Sequence, residues 1–445
     1  MNRAAFCLVF TLVFVFAAGL CCADEGFYTE MPEYLRVTQK MHTETVSDNI
    51  FVRRTYPDTA NDEVDARIRT LVDGMAEQYR HLLPQRGDKK VPAYLDAGAV
   101  ITRTGTSWMS FLTIAEVCAL KEQLSVAYDA RVYDMETGER IALTDVFAPE
   151  SEAWALLARE VRAQLSDAFP GVEPDQARLD ALCSREALEA AAFTMGAARL
   201  TLSYRADELY PGKNTLLHVH LYYPEVRPMM TERAQAQTDN SRFRMVALTY
   251  DDGGARGSTR RVLDELRAGG AQATFFVVGY TIVNNHDILS RQQDAAYSIQ
   301  SHSYTHQYPE ELTREKAFAD KEKFERELCT VIGARPTMMR APGGQAGFYV
   351  RSEIGYPMIQ WTIAGGDSGT RDIRAIYKRV APRAKDGQIV LMHDLNSVAS
   401  EYTRYILKDL NEKGFLCVTV EELFADAGLT LENNREYYSA VRTEE

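Results

Sequence analysis

The chain has 445 residues, of which 46% are hydrophobic and 25% charged, and its formal net charge is -13. This is a globular composition, and the length suits two domains, each able to bury a core. The acidic balance leaves no electrostatic footprint for nucleic acid, so nucleic acid is excluded as a partner and any grip on a charged polymer must be local.

At the amino terminus Asn2 and Arg3 precede the apolar run AAFCLVFTLVFVFAAGL, and Cys21, Cys22 and Ala23 offer a peptidase site before the polar DEG. Residues 1–23 read as a secretory signal peptide, which predicts an exported protein, periplasmic or extracellular at the cell envelope. Lipoprotein anchoring through Cys21 or Cys22 is the weaker reading, because Leu20 rather than Gly or Ala precedes Cys21. No later stretch is long and apolar enough to span a membrane.

Residues 24–230 mix two patterns. NDEVDARIRTLVDGMAEQYRHLL and SEAWALLAREVRAQLSDAF carry apolar residues at helical spacing, whereas QLSVAYDARVYDMETGERIALTDVF alternates around a turn at Thr137 and Gly138. A smaller α+β domain is expected. His218 and His220 share one face of a probable strand but lack an evident third ligand, and Trp108 and Trp154 read as core before they read as sugar platforms. Cys118, Cys183, Cys329 and Cys417 could pair two and two or remain buried thiols; neither spacing nor density selects between these.

The polar stretch 231–242 is expected to be a linker. After it the pattern becomes a regular alternation of strands, FRMVALTY, ATFFVVG, AYSIQS, PTMMRA, YPMIQWTI, QIVLMH and FLCVTV, with helices such as RGSTRRVLDELRAGG and TREKAFADKEKFERELCTVIG. Glycines stand where these helices should stop. Such repeats imply a parallel sheet that winds open or closes as a barrel, followed by a polar tail over 431–445.

Polar residues gather at the carboxyl ends of these strands: Asp251 and Asp252, then His302, Arg340, Asp367 and His393. In barrels that end carries the active site. One carboxylate with two imidazoles, His302 and His306 of SHSYTH, can hold a divalent metal and leave positions for water and substrate, a catalytic rather than structural ligand set. The second carboxylate would then be free to act as base. Taken singly, an Asp pair is usually a solvated turn and HxxxH usually a helix face; the ordered set is what points to catalysis.

TYDDG, HSYTH, RAPGG, WTIAGGD and LMHD together resemble, in order, the five motifs of the polysaccharide deacetylase (NodB homology, carbohydrate esterase family 4) family, over residues 243 to about 430. The resemblance implies a distorted (β/α)7-type barrel, a divalent metal (usually Zn2+, with Co2+ and Mn2+ as other candidates), and hydrolysis of N-acetyl groups on amino sugars. It implies Asp252, His302 and His306 as metal ligands, Asp251 as general base and His393 as general acid. Arg340 would hold Asp251 ionised and Asp367 would orient His393. The Gly343 N–H would stabilise an oxyanion, while Leu391 and Trp361 would line the substrate pocket.

Many family members carry an aromatic residue at the position of Gly343, Asp at that of Ala364 and Trp at that of Ser368, so substrate contacts differ here. A branch of bacterial wall deacetylases resembles this PGG and GD pattern. TGERIALTDVF and FTMGAARLTLSYRADELYPGKNTLLHVHLYYPEV look like the DUF4163/DUF3298 region, which accompanies some peptidoglycan deacetylases and is related to a lysozyme-sensing module. The pairing implies a cell-wall polysaccharide substrate, with N-acetylmuramic acid or N-acetylglucosamine as the target sugar and chitin oligosaccharides or another exopolysaccharide as the alternative. It also raises lysozyme or wall-fragment binding by the amino-terminal half of an expected monomer.

Overall fold

A computed structural model describes residues 26–84, 92–254, 256–308 and 312–442. The stretch 1–23 expected to be a signal peptide, with Cys7, Cys21 and Cys22, lies outside the described residues. Regular structure begins with β1 (Thr38–Ser47), β2 (Ile50–Asp58), α1 (Asp62–Tyr79), β3 (Ala93–Arg103), β4 (Trp108–Ala119), β5 (Glu122–Asp134) and β6 (Arg140–Ile141). The six strands form one sheet in chain order, antiparallel except where α1 crosses over to bring β3 parallel to β2. Asn61 caps α1 by accepting from Val64 N, and Val64, Ile68, Val72 and Ala76 form the buried stripe that the helical spacing predicts. The β5–β6 hairpin turns at Gly138, whose φ of 72° suits glycine.

Next come α2 (Leu143–Val146), α3 (Ala153–Leu165), α4 (Gln176–Leu182), α5 (Arg185–Glu189), β7 (Phe193–Met195), β8 (Arg199–Arg205), β9 (Leu216–Tyr222) and α6 (Tyr223–Val226). Strands β7, β8 and β9 make a second antiparallel sheet, and the apolar cluster between it and α3 contains both Trp108 and Trp154, which are core residues. His218 and His220 do share a face of β9. Their rings bond to Ser203, Gln293 and Thr201, and burial holds both well below the usual imidazole range.

The stretch expected to be a linker contains α7 (Glu232–Gln237), and Gln237 Oε1 accepts from the backbone of Ser107 and Trp108. Polar linker chemistry here serves a docked helix.

The remaining chain alternates as expected: β10 (Arg244–Asp252), α8 (Arg256–Ala268), β11 (Thr274–Val277), α9 (His286–Asp294), β12 (Ser298–Ser301), α10 (Arg314–Ile332), α11 (Phe348–Glu353), β13 (Met358–Ile359), β14 (Ile363–Ala364), α12 (Ile373–Val380), β15 (Gln388–His393), α13 (Ala399–Glu412), β16 (Phe415–Val418), α14 (Val420–Asp426) and β17 (Glu436–Tyr437). Strands β12, β11, β10, β15 and β14 lie side by side and parallel, with β16 beside the first half of β10. Met339 extends the wall by bridging Ser301 to Met358. Because β13 passes directly into β14 through residues 360–362, the wall closes on itself as a distorted barrel.

Two features of this barrel differ from the expected strands. The fourth strand, 336–341, is reduced to bridges at Met339, and the fifth splits where Gln360 N turns to Tyr437 O and Thr362 N to Ile389 O. The stretch read as a polar tail supplies β17, which pairs with β13, and a further bridge from Ser439 to Gln388. A two-residue strand has too few positions to show an alternating pattern.

Apolar clusters run across both halves of the chain, joining Ile114 and Val126 to Leu263, Leu266, Ile288 and Leu289. A buried ionic network lies alongside. Asp96 on β3 accepts from Arg53 and, at 2.6 Å, from Arg291 on α9, with Arg260 and Arg267 of α8 each 3.6 Å away. Cys118, Cys183, Cys329 and Cys417 are all free.

Candidate active site

The run Met245–Asp251 is buried throughout, and its last residue is the first acid. Asp251 is in register with Phe276 of β11 and His393 of β15, so it stands at the centre of the barrel's carboxyl end. Adjacent strand residues normally point to opposite faces. Asp252 escapes that rule through a φ of 77°, a conformation that costs a non-glycine residue about 1–3 kcal/mol and concentrates at functional sites. Both carboxylates therefore approach one imidazole: His302 Nε2 is 3.8 Å from Asp251 Oδ2 and 3.7 Å from Asp252 Oδ1.

His302 follows β12 and is buried. Its Nδ1 lies 2.8 Å from the Arg340 carbonyl, which can only accept, so Nδ1 donates and Nε2 keeps its lone pair toward the aspartates. Burial lowers its pKa and outweighs the opposing charges of Asp251 and Asp252, favouring the neutral ring that a metal ligand must be. His306 reaches the same point from a loop, its Nε2 3.3 Å from Asp252 Oδ1. That loop is not helical: Ser303 and His306 have φ of 61° and 56°. Asp320, on α10, holds it by accepting from Tyr304 N at 2.6 Å and Thr305 N at 2.9 Å.

One ligand atom each from Asp252, His302 and His306 lie within 4.8 Å of one another. One carboxylate oxygen and two imidazole nitrogens, one fixed in tautomer by a backbone carbonyl, fit a divalent cation.

Arg340 is fully buried behind Asp251. Its Nη1 donates to Asp251 Oδ1 and to Thr249 Oγ1, both at 2.7 Å, while Nε donates to Ile359 O at 2.9 Å and Nη2 to Gln360 O at 3.2 Å. Phe276 and Trp361 flank the guanidinium at 4.2 and 5.5 Å. All three nitrogens of the planar fork are engaged, by four hydrogen bonds in fixed directions that a lysine ammonium could not reproduce.

His393 ends β15. Its Nδ1 is 3.1 Å from Asp367 Oδ1, and its backbone N–H donates to Asp367 Oδ2 at 2.7 Å. Burial alone would lower the imidazole pKa, but the bond to Asp367 and the charges of Asp367, Asp251 and Asp252 raise it to about 9. Burial would raise Asp367, yet His393 and the Tyr402 hydroxyl, 2.7 Å from Oδ2, hold it below the usual carboxylate range. The N-cap of the short helix that follows is Gly366, and the Asp367 carboxylate is spent on His393 and Tyr402.

Gly343 and Gly344 form a turn with φ of 66° and 74°, three residues after Arg340. Trp361 packs beside Gly344 and Arg340. Leu391, buried, lies in register between Thr249 and Ala364, two positions before His393. The structure thus gathers Asp251, Asp252, His302, His306, Arg340, Asp367 and His393 at one strand-end cluster, with Leu391 and Trp361 beside it.

Sequence reasoning passed over Asp394, Asp320 and Tyr402. Asp394 is fully buried, accepts from Gly253 N at 3.1 Å and Thr259 Oγ1 at 2.8 Å, and burial pushes its pKa up to about 7. It ties the end of β15 to the turn that aims Asp252. The acid was visible in LMHD, but its partners, far off in sequence, were not.

A profile of the polysaccharide deacetylase family matches residues 238–357. The chain is 32% identical over 193 residues to the peptidoglycan-N-acetylglucosamine deacetylase PgdA of Listeria monocytogenes, covering 43% of this chain and 41% of that protein. It therefore spans about two fifths of that relative's length. It is 31% identical over 192 residues to a peptidoglycan-N-acetylglucosamine deacetylase of Bacillus cereus, covering 40% of this chain and 88% of that one. A solved structure of the peptidoglycan deacetylase PdaC from Bacillus subtilis aligns at 28% identity with a TM-score of 0.41, over 42% of this chain and 92% of that chain.

Proposed function

Because the chain belongs to the polysaccharide deacetylase family, we propose that it is an exported, metal-dependent N-deacetylase acting on amino sugars of peptidoglycan. The observation that carries this is the division of two adjacent acids: Arg340 holds Asp251 while Asp252 turns toward His302 and His306.

Asp252, His302 and His306 would hold the divalent metal, Zn2+ being the first candidate and Co2+ and Mn2+ the others. Bound there, it would supply a Lewis acid for the acetamide oxygen and the attacking water. Asp251 accepts the water proton as the new C–O bond forms, and the Gly343 N–H helps neutralise the developing oxyanion. Protonated His393 donates to the amine nitrogen as the C–N bond breaks, leaving acetate and a free amino sugar. Asp367 keeps His393 oriented and protonated before that step. Leu391 and Trp361 flank the acetyl group.

Residues 1–23 act in this reading as the export signal, and residues 24–230 as a DUF4163/DUF3298-like region that contacts the wall or a lysozyme. The names of the two sequence relatives support N-acetylglucosamine as the target, with N-acetylmuramic acid the other peptidoglycan sugar; chitin oligosaccharides are the competing polymer. The test is acetate release from purified peptidoglycan and from chitin oligosaccharides in parallel, with mass analysis of a defined muropeptide. Acetate from peptidoglycan that disappears on chelation and in Asp251→Asn supports the proposal. Turnover of chitin oligosaccharides alone transfers the activity to the other polymer, and no acetate from either ends it.

A further inference from the structure

The turn at Gly343 and Gly344 is held between two aromatic rings. A methyl group added to Gly344 would lie 2.6 Å from Trp361 Cη2, and one added to Gly343 would lie 2.5 Å from Tyr308 Cε1 and 3.2 Å from its Cδ1. Real Cβ atoms do not approach so closely, and both glycines have positive φ. The rings stand where side chains would otherwise be.

The two rings are committed differently. Trp361 is half-buried, packs against the apolar core and lies 5.5 Å from the Arg340 guanidinium. Tyr308 remains 49% exposed although one edge abuts Gly343. Among the described residues no ring or cation covers its face, and its hydroxyl makes no hydrogen bond. Its place is fixed from both sides of the ligand set: two residues before it stands His306, and three residues before Gly343 stands Arg340, whose carbonyl holds His302.

An exposed tyrosine needs no explanation by itself. Here the ring edge is set against a backbone that only glycine allows, so the open face is presented at the rim of the site in a fixed place and with little rotamer freedom to lose. A rigid apolar face carrying a polar hydroxyl is complementary to a pyranose, which offers a C–H face edged by hydroxyl groups.

We propose that Tyr308 is a substrate-binding and specificity-determining residue, stacking on a sugar ring of the glycan beside the acetamido group at the metal-ligand cluster. This rests on the deacetylase reading and adds the residue that grips the polymer. Tyr308 takes no part in proton transfer, so its contribution falls on binding more than on turnover.

The test uses the full chain and chitotetraose, with binding read by calorimetry and KM and kcat read by acetate release. Tyr308→Ala is expected to weaken binding and raise KM about five- to ten-fold, the worth of one aromatic contact, while kcat falls by no more than about two-fold. Tyr308→Phe keeps the ring and should stay within about two-fold of the parent. Gly343→Ala displaces the ring, so it should weaken chitotetraose binding in the parent and add little in a Tyr308→Ala background. Unchanged binding and KM in Tyr308→Ala, or a Tyr308→Phe variant as impaired as Tyr308→Ala, would overturn the proposal. If the parent chain releases acetate from neither chitotetraose nor purified peptidoglycan the deacetylase reading fails, and the binding arm still decides the role of Tyr308; no binding by the parent at millimolar sugar overturns it.

Discussion

Arg340 Nη1 and Asp251 Oδ1 lie 2.7 Å apart in a pocket where the arginine is fully buried and the aspartate nearly so. The same nitrogen bonds Thr249, and the rest of the fork is spent on the carbonyls of Ile359 and Gln360. One oxygen of Asp251 is thereby committed to the guanidinium, while Oδ2 faces His302 at 3.8 Å, where the proposed mechanism has it accept a proton.

Truncating that partner should cost more than the ion pair is worth. Arg340→Ala leaves a buried carboxylate unpaired and three acceptors without a donor, and stability is expected to fall by about 3–5 kcal/mol. Arg340→Lys should recover only part of this, because an ammonium cannot satisfy the planar arrangement. Urea unfolding of the three proteins checks it; equal midpoints for Arg340→Lys and the parent would show that the fork geometry is unimportant.

Metal binding should report the ligand set independently of turnover. Removing one of three protein ligands, as in His302→Ala, is expected to abolish stoichiometric metal in the purified protein, measured by elemental mass spectrometry. Saturating Zn2+ at about 100 times its dissociation constant should stabilise the parent by about 2.7 kcal/mol and leave the variant's melting temperature unmoved.

The alkaline limb of activity should follow His393. Its pKa is raised from 6.5 to about 9, against burial, by Asp367 first and then by Asp251 and Asp252. The proposed proton donor is therefore charged below that range, and activity should decline as pH rises through about 9. The stability linked to this charge has the same sign: complete below about 6.5, lost as pH rises through about 9. Asp367→Asn removes the largest raising influence, so the limb should move to lower pH in kcat/KM profiles. A limb that stays in place would detach His393 from it.

Asp394 should act on the metal cluster without touching it. Asp394→Ala leaves the Gly253 N–H and Thr259 hydroxyl without their acceptor, a loss of about 1–3 kcal/mol. By loosening the turn that aims Asp252 it should also weaken metal affinity about 10–100-fold. Competitive titration against a chelating dye measures the second effect; unchanged affinity with lowered stability would confine Asp394 to the core.

The two halves of the chain should not separate. Arg291 bonds Asp96, Glu116 and Asp264, joining the amino-terminal sheet to α8 and α9, and Arg291→Ala leaves the buried Asp96 and Glu116 and the partly buried Asp264 with one cation fewer. A loss of about 3–5 kcal/mol is expected. A fragment of residues 243–442 would expose the apolar face shared with β3, β4 and β5, and should show no cooperative melt by calorimetry.

The gathering of the site was readable from residue order, since apolar strand runs ending in Asp251, His302, Arg340 and His393 need only the rule that such ends converge; the task of each residue came from the family resemblance. Helices α1, α3, α8 and α10 were equally legible, because a long amphipathic period is a local signal. The short strands were not: Met339 survives only as bridges, and β17 has two residues, so each depends on partners distant in the chain.

Asp251 and Asp252 show the same boundary. Local sequence supplies two carboxylates and two following glycines, and the family resemblance suggests different tasks for them. Their orientations depend on the φ of 77° at Asp252, held by Asp394 from another strand, and on a guanidinium that arrives 89 residues later. Residue types and local periods are carried by neighbours in the chain. The aim of a side chain, the shared core of the two halves and the ring of Tyr308 against Gly343 arise from packing between distant segments, which no local pattern encodes.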